Sequence, residues 1–266
     1  MVEAGEQLHG YVVNREVGRG GYATVYRAHP SKTPERVVAL KVLRADHRSP
    51  ADLARLNREF EFAHRLRHPH IVTVYEQGPF WLAMQFVDGG KSTALQRLDH
   101  QLAALAQIAD ALDYVHRQGI VHADVKPANI LVAKDFSRDG ACLIDFGVAH
   151  AVVDDVFRRP KDIQASLSYA APEVLRGQAP TAATDEYALA CSVVELLTGA
   201  PPFSADTSAE LIRAHLRGIP PRVSSRASWA SRAFDTVVAR AMARDPEVRY
   251  RSCVEMVEHV VRAVDG

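Results

Sequence analysis

Residues 120–149 read IVHADVKPANILVAKDFSRDGACLIDFGVA, and this stretch decides how the rest of the chain is understood. It holds two apolar runs, 130–132 and 143–144, each flanked by polar residues, a pattern that predicts two paired strands with charged groups at their ends. Paired strands bring distant positions side by side, so Asp124, Lys126, Asn129 and Asp145 gather at one mouth of such a hairpin. A carboxylate and an amide oxygen together form a hard donor set suited to Mg2+, an ion that keeps waters and shares its shell with phosphate oxygens. Any one of these residues alone would read as ordinary surface charge. The order H-x-D-x-K-x-x-N followed by D-F-G is far harder to reach by chance.

The chain has 266 residues, long for one compact domain and short for two independent ones, which fits a single unit of two lobes. Its hydrophobic fraction of 47% and charged fraction of 24% are those of a globular protein with a sizeable core. Lys+Arg and Asp+Glu are both 32, so no net field points to nucleic acid as a partner. Cys142, Cys191 and Cys253 are widely spaced in apolar surroundings and read as buried thiols of a reducing, cytoplasmic compartment, not as a disulfide frame or zinc site. The first ten residues lack the pattern of a secretory signal, and no apolar run approaches membrane-spanning length.

Upstream, residues 11–17, 24–28 and 37–42 carry β signals separated by turns. Gly18, Gly20 and Gly21 stand between the first two strands, where glycines let a backbone approach a phosphate with its N–H groups. In the next strand Ala39 and Lys41 share a face: a small residue to lie against a flat ring, and an ammonium that needs an anionic partner. Residues 51–67 are a predicted helix with Leu56, Phe60, Ala63 and Leu66 as its apolar stripe. Glu59 lies on that stripe and Glu61 on the polar face. A carboxylate facing the core requires a partner, and Lys41 is the natural one. His64, His68 and His70 lack a fourth ligand nearby and do not form a zinc site.

Residues 71–76 and 81–86 complete an expected five-stranded antiparallel sheet, and 87–90 (V-D-G-G) is the expected hinge. Beyond it the chain reads as helical. Leu102, Leu105, Ile108, Leu112 and Val115 make one stripe. Residues 184–198 are apolar nearly all round, which marks a buried central helix. Amphipathic helices follow near 209–217, 229–243 and 252–264.

With these motifs in place the chain resembles the catalytic core of a protein kinase, over residues 8 to 264. The resemblance implies a bilobal α+β fold in a single domain, with an N-lobe at 8–86, a hinge at 87–90 and a C-lobe at 91–266. It implies ATP and Mg2+ (or Mn2+) as cofactors and proteins as substrates, with a homodimer left open. By the same resemblance Asp124 orients the attacking hydroxyl and Lys126 neutralises the transferring phosphate. Asn129 and Asp145 hold the metal, while Lys41, kept in place by Glu59, grips the α/β-phosphates under the glycine loop. Met84 guards the depth of the pocket, backbone groups at Gln85–Val87 meet the adenine edge, and Val25, Ala39 and Leu131 pack its faces. Glu173, in Ala171-Pro172-Glu173, is the family's substrate-loop anchor with Arg249 as its expected partner, and Asp185 is the acid that braces the catalytic loop. Lys126 marks the serine/threonine type, and the Ala- and Arg-rich usage is similar to the bacterial branch.

Two departures stand out. Ala123 replaces the arginine that in many family members precedes the catalytic aspartate and receives an activation-segment phosphate. The segment itself offers only Ser166, Ser168 and Tyr169 as hydroxyls, with Ser166 where the family commonly has threonine. The expectation is a kinase of non-RD type whose activity does not depend on phosphorylation of that segment. Two rivals are weighed against it. A small-molecule phosphotransferase would lack the Glu173 anchor, its distal arginine and Lys126. A pseudokinase scaffold would have lost Lys41, Asp124, Asn129 or Asp145. All of these residues are present.

Overall fold

The computed structural model describes residues 3–147, 149–151, 167–225 and 227–265. Six antiparallel strands form the amino-terminal sheet: β1 (Gln7–Leu8), β2 (Tyr11–Arg19), β3 (Ala23–Pro30), β4 (Val38–Leu43), β5 (Val74–Gly78) and β6 (Trp81–Gln85). Their spatial order is β1-β2-β3-β4-β6-β5. β4 is central and buried along its whole length. Because side chains alternate along a strand, its two faces serve two cores. Val38, Leu40 and Val42 pack with Tyr11, Val13, Tyr26 and Ala28 on one side. Ala39 and Leu43 join Leu82, Met84 and Leu56 on the other. The register sets Val25 opposite Lys41 and Ala39 opposite Met84, so these four share the face that looks into the cleft.

Two differences from the sequence expectation lie here. The sheet has a sixth strand, the two-residue β1, and the run expected at 71–76 starts as a strand only at Val74. Ile71 and Val72 turn instead toward the second lobe. Ile71 bridges Leu143, and Val72 N–H donates to Leu143 O at 3.0 Å. Helix α1 (Pro50–Ala63) begins with a reciprocal cap: Ser49 Oγ accepts from Asp52 N–H, and Asp52 accepts from Ser49 N–H. It stops before the expected Arg67, and its last turn tightens, with Arg65 N–H on Phe62 O ahead of Pro69.

Gly89 and Gly90, expected in the hinge, belong to β7 (Gly89–Lys91), which pairs with β9 (Ile130–Ala133). The connection between lobes thereby narrows to residues 86–88. β9 pairs antiparallel with β10 (Ala141–Leu143), the hairpin expected from the decisive stretch, with α3 (Phe136–Asp139) in its turn. β8 (Ile120–Val121) pairs with β11 (His150–Ala151). The second lobe is otherwise helical: α2 (Leu98–Arg117), α4 (Pro172–Leu175), α5 (Ala182–Thr198), α6 (Ser208–Arg217), α7 (Arg232–Ala241) and α8 (Cys253–Asp265).

α5 is the central post. Tyr187, Leu189, Cys191, Val193 and Val194 are all buried, and Gly199 closes the helix in the left-handed conformation at φ 80°. Each such aliphatic side chain contributes about 1.5–3 kcal/mol by leaving water. The three cysteines are free and buried. Among the described residues no helix is long and apolar enough to cross a membrane.

Candidate active site

The hairpin mouth brings together what the sequence set apart. Lys126 Nζ donates to both oxygens of Asp124 at 2.9 and 2.8 Å. Asn129 Nδ2 donates to the Asp124 backbone carbonyl at 2.8 Å and to its Oδ2 at 2.9 Å. The amide nitrogen of Asn129 is thereby committed to Asp124, which makes its carbonyl oxygen the end suited to a hard cation.

Asp185, wholly buried at the start of α5, holds this loop from below. It accepts from His122 N–H and Ala123 N–H, both at 2.8 Å, and lies 2.8 Å from His116 Nε2. Ala123 has φ 61° and Asp145 φ 67°, the left-handed region that a side chain makes costly. The Asp185 bond holds the first, and Gly147 N–H, 3.2 Å from Asp145 Oδ1, holds the second. Phe146 is fully buried, edge-on to His122 with ring centroids 4.8 Å apart.

From the sheet side, Lys41 Nζ donates to both oxygens of Glu59, at 2.7 and 2.6 Å, and lies 3.6 Å from Asp145 Oδ1. Glu59 is buried as its stripe position demands, and Glu61 is exposed. Burial works against the Lys41 ammonium, yet Asp145 and Glu59 hold its pKa well above the usual lysine value. Burial likewise works against the Asp145 carboxylate, but Lys41 and then Arg55 hold it well below the usual range. For Glu59, burial pushes the carboxyl up against the pull of Lys41. We treat this pair as ionised, because an ammonium bonded to both oxygens favours the carboxylate.

The glycine loop turns over this cluster, with Gly20 N–H on Ala23 O at 2.9 Å. A Cβ on Gly18 would meet nothing within 4 Å, and one on Gly20 only Ala23 O at 3.6 Å. Packing within the chain therefore does not demand these glycines, and the bare backbone suits close approach by a phosphate. With the Asn129 and Asp145 oxygens below, the residues fit a Mg2+-bound nucleotide. Deeper in the cleft, Ala39 and Met84 are buried, and Val25 and Leu131 are half-buried. Gln85 uses its backbone N–H on Thr73 O at 2.8 Å, so it is not a donor for a base edge.

At the other end of the site Glu173 opens α4 and takes a two-pronged bond from Arg249, Nη1 to Oε1 at 2.9 Å and Nη2 to Oε2 at 2.8 Å. Thr184 Oγ1 donates to the same carboxylate at 3.0 Å. Burial raises the Glu173 carboxyl and Arg249 more than offsets it, leaving the pKa lowered. Ser166 lies outside the described residues.

Of the three histidines, His68 and His70 are in contact, with ring centroids 5.7 Å apart and His70 N–H donating to His68 Nδ1 at 3.2 Å. His64 faces Val74 O, His68 faces Asp110, and His70 faces Ala141 O. Asp113, His116 and Cys253 do cluster, with donor atoms within 4.8 Å of one another. Asp113 is nonetheless occupied in capping α8, accepting from Cys253 N–H at 2.9 Å and Val254 N–H at 3.0 Å.

Two cleft residues escaped the sequence reading. Arg55 precedes Glu59 by four positions, which puts both on one helix face, and that spacing was the available signal. Tyr22, at the tip of the glycine loop, is folded inward and buried.

Comparison with known proteins places this geometry. The protein kinase domain model matches residues 11–261. Serine/threonine-protein kinase PknJ of Mycobacterium tuberculosis is 41% identical over 100% of this chain and 47% of its own length. PknF of the same organism is 38% identical over 98% of this chain and 58% of its own length. The chain thus spans about half the length of the curated relatives it matches. The crystal structure of the Mycobacterium tuberculosis PknI kinase domain superposes with a TM-score of 0.75 at 30% identity, covering 99% of this chain and 100% of that one. The chain belongs to the protein kinase domain family, in the bacterial branch whose members are serine/threonine-protein kinases.

Proposed function

We propose that this chain transfers the γ-phosphoryl group of ATP to serine or threonine hydroxyls of protein substrates with Mg2+, through Asp124, Lys126, Asn129, Asp145, Lys41 and Glu59. One observation carries the reading: the buried Lys41–Glu59 pair stands 3.6 Å from Asp145 while Asn129 and Lys126 both hold Asp124. Bound Mg2+ and ATP supply the phosphoryl group and neutralise its charge; the protein's task is positioning and electrostatics. Asp124, steadied by Lys126 and Asn129, accepts and orients the proton of the incoming hydroxyl. Lys126 stands beside it to balance negative charge as the phosphoryl group moves. Lys41 grips phosphate oxygens while Glu59 keeps its ammonium aimed. Val25, Ala39, Met84 and Leu131 pack the adenine, and Val87 offers backbone groups to its edge. Glu173 and Arg249 fix the end of the substrate loop.

Ala123 gives the enzyme its non-RD character. A methyl group cannot pair with a phosphate, so ordering of the activation segment by a new charge-assisted contact to this position is absent. The catalytic loop is braced instead by Asp185, which needs no modification. Activity is accordingly independent of segment phosphorylation. To test this, purified protein is incubated with labelled ATP and Mg2+, phosphosites are mapped by mass spectrometry, and phosphatase-treated protein is compared with untreated protein on an exogenous substrate. Label on Ser or Thr at unchanged rates supports the proposal. Label on Tyr refutes the specificity, and a large fall after dephosphorylation at Ser166 or Ser168 refutes the regulatory reading.

A further inference from the structure

Arg55 touches three pieces of the cleft at once. From α1, one turn before Glu59, its guanidinium carbon stands 4.0 Å from the centre of the Tyr22 ring. Its stem lies against the D-F-G turn: a Cβ on Gly147 would fall 3.0 Å from Arg55 Nε, 3.2 Å from its Cγ and 3.1 Å from Asp145 Oδ1. A side chain there would press on the arginine stem, which would have to give by a few tenths of an ångström. The Arg55 charge also acts on Asp145, second only to Lys41 among the charges that favour its carboxylate.

Tyr22 is the reciprocal half. It caps the glycine loop, is 8% exposed, and its ring centre lies 5.1 Å from Lys41 Nζ. The ring is therefore flanked by two cations. Its hydroxyl is buried and has no hydrogen-bond partner among the described residues, so the ring face carries the contact. Its own backbone is pinned as well: Arg44 N–H donates to Tyr22 O at 3.0 Å.

We propose that Arg55 and Tyr22 form a cation–aromatic clamp that sets the glycine loop and the Asp145 carboxylate in register across the phosphate end of the nucleotide site. Both are positioning residues. Arg55 acts through Asp145 and Gly147, and Tyr22 acts through the loop backbone. The planar guanidinium is what the geometry uses, because it stacks on the ring with one surface while its stem packs on Gly147; a lysine ammonium would supply charge without the plate. This inference rests on the assignment of Lys41 and Asp145 to the metal–nucleotide site.

The test is a double-mutant cycle read by calorimetry with the Mg2+ complex of the β,γ-imido analogue of ATP. Tyr22→Ala and Arg55→Gln should each weaken binding about tenfold, and the double variant should also lose about tenfold, because either change already opens the clamp. Tyr22→Phe should recover most of the loss seen with Ala, and Arg55→Lys only part of the loss seen with Gln. Adenosine without metal, which reaches neither phosphate loop nor Asp145, should bind every variant within about twofold of wild type. A double variant weakened about a hundredfold would make the two residues independent and overturn the clamp. So would single variants that bind the analogue like wild type, a Phe variant no better than Ala, or a parallel loss of adenosine binding, which marks general damage to the lobe. Wild-type protein that binds adenosine but not the Mg2+ analogue would overturn the site assignment and the clamp with it.

Discussion

Two buried carboxylate–cation pairs stand in different lobes of this molecule and are built differently. Glu173–Arg249 is closed: the guanidinium bonds both carboxylate oxygens and also donates to Ala183 O at 2.7 Å and Ala243 O at 2.9 Å. Lys41–Glu59 is open: the ammonium has a second carboxylate, Asp145, at 3.6 Å, and the Tyr22 ring, itself in contact with Arg55, at 5.1 Å. A fork with its donors spent on fixed acceptors locks one geometry. A point charge shared between acceptors can turn toward a new one. The first pair holds the fold, and we read the second as a tool.

That contrast sets an order of expected effects. Arg249→Ala leaves Glu173 buried and unpaired, and a broken buried pair costs about 3–5 kcal/mol. Urea unfolding should show this directly; a loss within error would place the pair among ornamental contacts. Glu59→Gln should do the opposite, lowering activity about tenfold with little change in unfolding midpoint, because Asp145 at 3.6 Å still balances the buried ammonium while the neutral amide no longer aims it. Glu61→Gln, on the exposed face, should be nearly silent in both assays.

The contrast was only half visible in the chain itself. Helical spacing was enough to put Glu59 inside and Glu61 outside, and spacing within H-x-D-x-K-x-x-N placed Asp124, Lys126 and Asn129 at one mouth. Periodicity works there because one face of a regular element meets one environment. It failed where neighbours decide. Gly89 and Gly90 have no strand propensity and become a strand because β9 offers an edge. Gln7–Leu8 is too short to alternate. Tyr22 sits in a loop, and its burial follows from the approach of α1, a contact no local pattern encodes. Arg55 was legible in principle from its four-residue offset to Glu59, which puts both on one face of α1.

A smaller effect sharpens the closed end of the comparison. Glu186, beside Asp185 in α5, accepts from Tyr250 N–H at 2.9 Å, next to Arg249. Burial pushes its carboxyl up to about 8. The folded protein therefore keeps a proton that the unfolded chain releases near its ordinary value of 4.5, and stability falls as pH rises between 4.5 and about 8. Glu186→Gln removes that slope, so the variant should gain in Tm over wild type progressively as pH rises from 5 to 8. Parallel Tm curves for the two proteins would mean Glu186 is ionised in the fold. His215 tilts the acid side: burial lowers it to about 4, so its neutral form favours the fold above 6.5, and that contribution is lost as pH falls toward about 4.

The central claim divides labour at the open end, with Asp145 holding the metal–nucleotide and Asp124 serving the hydroxyl. The direct test measures Mg2+–ATP affinity and turnover in Asp145→Asn and Asp124→Asn side by side. The account predicts that Asp145→Asn loses affinity, whereas Asp124→Asn binds ATP as wild type does and loses turnover by about 100-fold or more. Equal affinity and turnover in both variants and wild type, or weakened ATP binding in Asp124→Asn alone, would contradict it.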